Sequence, residues 1–173
     1  MSASPDRIEK RITLAAPVAR VWRAIADARE FGSWFGFVLD GQFEPGKPIR
    51  GTFGGTLDEA RIAEYQESLG LQPSRVRAPS AHAVFCTVER IEPERYLSFR
   101  WIPYGIDVEA DPENEPTTLV EFLLEEVPEG TRLTVVESGF DRVPAQRRER
   151  AFRMNEGGWA AQAENVKRYV ESE

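Results

Sequence analysis

The order of hydrophobic periods along this chain constrains its fold more than any other feature. Ile8, Ile12 and Leu14 alternate with Glu9, Arg11 and Thr13, which predicts a half-buried strand. Pro17 suits the first turn of a helix, where its missing N–H is harmless, and Val18, Val21, Trp22 and Ile25 then form one apolar helical face. A second short helix is predicted over Ala28–Trp34. Strands follow at Phe37–Phe43 and Pro48–Gly54, joined by the turn Glu44-Pro45-Gly46-Lys47. Four more are predicted at Ala81–Ile91, Tyr96–Tyr104, Thr117–Val127 and Thr131–Ser138, with Glu92-Pro93-Glu94-Arg95 and Pro128-Glu129-Gly130 as turns. Pro144 opens a last helix to about Glu171, on which Phe152, Asn155, Trp159, Ala163, Val166 and Val170 share one side. The fold class is α+β: an antiparallel sheet of about seven strands, two short helices after the first strand and a long C-terminal helix.

Between the third strand and the fourth lies a segment of another kind. Thr56-Leu57-Asp58-Glu59 has the form of a capping box, Ile62, Tyr65 and Leu69 recur at helical spacing, and Gly70 supplies a stop. A helix near 57–69 is predicted, followed by a loop through Pro73 and Pro79. An isolated helix of this length is marginal in water, so its apolar stripe must be buried. The expectation is a lid over a cavity mouth; the rival is a homodimer interface. No linker or repeat divides the chain, so residues 1–173 read as one domain with 56–80 as an insertion.

The chain has 173 residues, long enough to bury roughly 70% of its unfolded surface without disulfides. Its formal net charge of −7 repels phosphate backbones and anionic lipid surfaces, so neither nucleic acid nor membrane is expected as a partner. There is one cysteine, Cys86, and the first residues show no apolar signal-peptide core. A cytoplasmic location is the expectation.

Several strings carry a resemblance to a known superfamily. They are Ala16-Pro17-Val18-Ala19-Arg20-Val21-Trp22, Trp34-Phe35-Gly36, Phe43-Glu44-Pro45-Gly46, Glu92-Pro93-Glu94-Arg95 leading into Leu97-Ser98-Phe99-Arg100-Trp101, the run Thr131 to Phe140, and Gly158-Trp159. With the element order, they resemble the START-like (SRPBCC, Bet-v-type) superfamily of helix-grip proteins, and within it the branch named for the activator of the heat-shock chaperone ATPase. The resemblance covers nearly the whole chain except about residues 56–80. It implies a sheet wrapped around the last helix, with a ligand cavity between them. That scaffold hosts carriers, cyclases, receptors and chaperone cofactors, so it implies no single function. A counterpart of the eukaryotic activator's separate N-terminal chaperone-binding domain is not expected here, and that role is not carried over.

The candidate ligand-binding residues are Trp34, Phe35, Phe53, Phe99, Trp101, Phe122, Val135, Glu137, Phe152, Asn155 and Trp159. The aromatics fall on positions expected to face the sheet–helix interior, where ordinary core packing is the competing reading. Glu137 continues the inward face of Leu133 and Val135. It is either a polar anchor or acid–base group, or a strand-end carboxylate that reaches solvent or an arginine. Asn155 and Gln162 would orient a ligand or cap a loop carbonyl. His82, the single histidine, and Cys86 lie too far apart on a strand to act as a pair, and no metal or cofactor is expected. Asp107, Glu109, Asp111, Glu113 and Glu115 lack the glycine and terminal glutamate of a calcium loop and read as a solvated acidic loop. Arg142, Arg147, Arg148, Arg150 and Arg153 read as a charged solvent face. The expected function is binding of a small apolar or aromatic molecule, as a carrier or sensor. The alternative is a cyclase- or hydrolase-type enzyme using Glu137, and a chaperone-partner role follows only from the branch resemblance.

Overall fold

The computed structural model of the protein describes residues 6–78 and 83–172. Strand β1 (Arg7–Leu14) is followed by α1 (Val18–Ala26), α2 (Ala28–Phe35), β2 (Phe37–Asp40), β3 (Pro48–Phe53), α3 (Glu59–Ser68), β4 (Val84–Glu92), β5 (Tyr96–Trp101), β6 (Thr118–Val127), β7 (Gly130–Ser138) and α4 (Ala145–Glu171). The strands form one antiparallel sheet in the order β1-β7-β6-β5-β4-β3-β2. The predicted α+β, helix-grip architecture is therefore the observed one. Register shifts in β3–β4 and β4–β5 bend the sheet, as bulges do. Its inner face carries Phe99, Val120, Phe122, Leu133 and Val135, all buried. Helix α4 crosses that face and presents Trp159 to Trp101 and Phe122.

Two predicted strands are shorter than their apolar runs. β2 stops at Asp40 because Gly41 adopts φ 103°, a left-handed conformation that ends the extended run. β5 stops at Trp101, and Tyr104 also takes a positive φ, of 50°.

The inserted helix forms, but its anchoring differs from the sequence reading. Its N-cap is Asp58, whose carboxylate accepts from the Arg61 N–H, so Thr56 does not open a capping box. The apolar stripe is only partly covered, and Tyr65 is 41% exposed. The buried residue of α3 is Gln66, at 0%. Its amide donates to Ser74 Oγ and Tyr104 Oη, both at 3.0 Å, and accepts from the Ser74 N–H at 2.9 Å. A satisfied amide anchors this helix where an apolar stripe was expected to.

Candidate functional site

Alternation along β7 turns Glu137 inward with Leu133 and Val135, and the carboxylate is wholly buried. It is buried, and among the described residues its hydrogen-bond partners are all neutral donors, with no arginine among them. Oε1 accepts from Trp159 Nε1 at 2.8 Å and Asn155 Nδ2 at 3.0 Å. Oε2 accepts from Thr118 Oγ1 at 2.6 Å, Trp101 Nε1 at 2.8 Å and Asn155 Nδ2 at 3.1 Å. Burial raises the carboxyl above its ordinary value, and the bonds from Thr118, Trp101, Trp159 and Asn155 oppose that rise. Strand pairing assembles half of this set, because Trp101 and Thr118 face each other across β5 and β6. α4 supplies the other half, since residues four apart lie one turn above each other.

An aromatic cluster surrounds the carboxylate. Trp101 packs on Trp159 with centroids 5.6 Å apart and on Phe35 at 5.9 Å, and Phe35 touches Trp159 at 5.8 Å. Phe99 and Phe122 continue the cluster along the sheet. Phe35, Trp101 and Asn155 are half-buried, so the cluster reaches the surface on one side.

The remaining expected site residues are placed differently. Trp34 is buried, and its indole N–H goes to the Ala24 carbonyl, which joins α2 to α1. Phe53 stands on the rim against Phe37. Phe152 pairs with Phe140, apart from the main cluster. Val135 lies in the core of the sheet. Gln162 caps the end of α2 by donating to the Phe35 carbonyl at 2.8 Å.

Phe31, Phe37, Phe85 and Thr118 were not singled out from the sequence. Phe31 sits at the centre, in contact with Phe35, Phe85, Phe99 and Phe122. Its helical spacing to Trp34 and Phe35 was the available signal.

The sheet–helix interior is filled by these rings, with Phe31, Phe99 and Phe122 at 0% exposure. A concavity of about 640 Å³ lies outside them, beside Gly32, Gly36, Phe37, Leu39, Phe53 and Gly54. Phe37 lines it and packs on Phe35 and Phe85, so the concavity adjoins the cluster.

Two surface readings need correction. Asp107 and Glu115, in the acidic loop, are 0% and 4% exposed at their side chains, and Arg147, from the basic run, is 1% exposed. Arg147 and Arg150 pair with Asp107, Glu109 and Glu115 where solvated surfaces were expected, while Asp111, Glu113 and Arg142 are exposed as expected. Cys86 is buried among apolar residues, which pushes its thiol pKa up; His82 lies outside the described residues. Among the described residues, no group of three or more His, Cys, Asp or Glu is arranged to hold a metal ion, and no helix is long and apolar enough to cross a membrane.

Comparisons with known proteins agree on the fold. A Mesorhizobium loti protein of solved structure superposes with a TM-score of 0.65 at 18% identity, over 96% of this chain and 97% of that one. An Arthrobacter aurescens protein gives 0.64 at 15%, over 99% and 91%. DynU16, described as a putative protein in the dynemicin biosynthetic locus, gives 0.62 at 24%, over 96% of this chain but 47% of its own length. No curated protein matches the sequence. The profile of one family, described as polyketide cyclase / dehydrase and lipid transport, matches residues 5–171, and with nearly its whole length inside that profile the chain belongs to this family within the helix-grip superfamily.

Proposed function

We propose that the protein binds a small apolar or aromatic molecule between the sheet and α4, with Glu137 as the polar anchor. One observation carries this reading: a wholly buried carboxylate held by four neutral side chains at the half-open end of an aromatic cluster. A stabilising role alone would be met as well by an apolar residue, because burying a carboxylate carries a desolvation cost. The family's description includes lipid transport, which supports a carrier or sensor. Because the interior is packed, a ligand must displace rings, and the half-buried Phe35 and Trp101 are the first in its way. The residues proposed to contact it are Phe35, Phe99, Trp101, Phe122, Glu137, Asn155 and Trp159. The test is native mass spectrometry of freshly purified protein: a co-purified small molecule, lost in Glu137→Gln, is expected. A protein that carries no such mass and takes up no aromatic probe would overturn the reading.

One observation favours a second reading, a cyclase- or dehydrase-type enzyme. Burial raises the Glu137 carboxyl, which makes its protonated form more available as an acid. Turnover of the co-purified molecule, abolished by Glu137→Gln, would move the assignment there. A chaperone-partner role rests on the branch resemblance alone.

A further inference from the structure

Two segments that interrupt the sheet lie together on the side of α4 that faces away from it. The first is α3 with its following loop to residue 78; the second is the β5–β6 connection, residues 102–117. They are joined by Gln66 bonding Tyr104, by the Val76–Asp107 bridge and by backbone bonds from Arg77 to Ile106 and from Val108 to Arg75. Each is then fastened to α4. Arg147 donates to Glu115 at 2.8 Å, to the Pro103 carbonyl at 2.7 Å and to Asp107 at 3.4 Å. Arg150 reaches Asp107 at 3.3 Å and Glu109 at 3.2 Å, and Arg153 donates to the Leu69 carbonyl at 3.2 Å. Tyr65 lies so close over Gly157 that an added Cβ would overlap its hydroxyl.

The helical angle gives this arrangement its meaning. At about 100° per residue, Arg150, Arg153 and Gly157 fall roughly 120–180° round the axis from Asn155 and Trp159, with Arg147 on the flank. The first half of α4 is therefore held between two partners. Glu137 grips one side through Asn155 and Trp159, and the two joined segments clasp the other. The second segment also begins after Trp101 and ends before Thr118, so both its ends are tied to Glu137.

We propose that these segments form one clasp that gates the Glu137 site. While the clasp is closed, α4 cannot leave the sheet and the aromatic interior stays shut; when it opens, the first half of α4 lifts and the interior becomes accessible. Only the ligand part of this proposal rests on the function proposed above; the opening itself does not. The positive φ of Tyr104 marks a strained backbone position within the clasp, the kind of element that moves when a packed structure switches.

The test reads proton exchange in the intact protein by NMR, with no ligand present. Asp107→Asn removes charge from the clasp and leaves its shape, and Tyr104→Phe removes the Gln66–Tyr104 bond, one of the links between the segments. In both variants, backbone amides in 62–77 and 104–110 should exchange faster together, by about tenfold or more, as for one local opening unit. The indole N–H signals of Trp101 and Trp159 should accelerate with them, while mid-strand amides of β6 and β7 stay unchanged. Faster clasp amides with unchanged indoles would overturn the gate, and so would independent rates in the two segments. A second measurement separates this from the function reading: stopped-flow uptake of the neutral probe N-phenyl-1-naphthylamine. Faster association in the variants supports the gate, and unchanged association means that the probe arrives past Phe37 and the gate is wrong. If the probe never binds while the indoles still accelerate, the gate stands and the ligand reading fails.

Discussion

Two buried charge systems flank the same stretch of α4, and they solve the same problem in different ways. On the outer side, Arg147 sits between Asp107 and Glu115, with Arg150 sharing Asp107, so the charges largely cancel. On the inner side, Glu137 has no cation among its hydrogen-bond partners in the described residues and is held by two indoles, a threonine and an asparagine. The outer system holds segments in place. The inner one keeps a carboxyl group in an apolar interior at an energetic disadvantage, which is the condition of a functional group more often than of a structural one. Fully paired buried charge therefore marks the frame here, and neutral solvation of buried charge marks the site.

The comparison can be broken most severely from the outer side. Replacing Arg147 with Met takes the cation from Glu115 and leaves Asp107 to Arg150, and denaturant unfolding should show a loss of about 3–5 kcal/mol. A loss below about 1 kcal/mol would mean that Arg150 alone compensates and that the outer system is not an integrated frame. Trp159→Ala on the inner side should cost a similar 3–5 kcal/mol from lost packing. Trp159→Phe keeps most of the ring and removes only the donor to Glu137, so it should cost about 1–3 kcal/mol.

Glu137→Gln sharpens the contrast further. The amide turns its NH₂ toward donors, which should cost about 1–3 kcal/mol at neutral pH. The pH profile is more telling. The folded carboxyl lies above its ordinary value near 4.5, so the folded state holds the proton more tightly than the unfolded chain. Stability from that proton is fully present below the unfolded pKa and is lost as pH rises through the folded one. Measured side by side, wild type should lose stability relative to Glu137→Gln as pH rises from the mid-fours. A difference that stays flat or widens in favour of wild type would show that the neutral donors fully replace water around the charge.

The smallest effect lies on adjacent glycines of α4. Gly158 has open space around an added Cβ, so Gly158→Ala should stabilise the helix by about 0.5–1 kcal/mol. Gly157→Ala must push the Tyr65 hydroxyl aside, and its melting temperature should fall short of the Gly158→Ala gain. Equal gains would mean that the seat of Tyr65 contributes nothing to the clasp.

The legible parts of the site were those set by local period. Alternation in β7 placed Glu137 inside, and helical spacing placed Asn155 and Trp159 on one face of α4. Thr118 was not legible as a partner, because its role depends on the β5–β6 register that sets it beside Trp101. Phe85 lies near a register shift, where simple alternation cannot say which neighbours face inward. The stripe on α3 misled because Gln66 found a complete set of partners in Ser74 and Tyr104, and an amide so satisfied can be buried in place of an apolar residue.

By itself the sequence determined the element types, their order, the antiparallel sheet with α4 on it, and the inward direction of Glu137. Each of these follows from periods of two or 3.6 residues, which backbone geometry enforces locally. The tertiary structure alone decided that the interior is filled, that Glu137 meets neutral donors, and that Arg147 and Arg150 pair with Asp107, Glu109 and Glu115. Those outcomes depend on which distant groups come within about 3 Å of one another, and charge or polarity in a linear sequence does not say whether water or another side chain will be the partner.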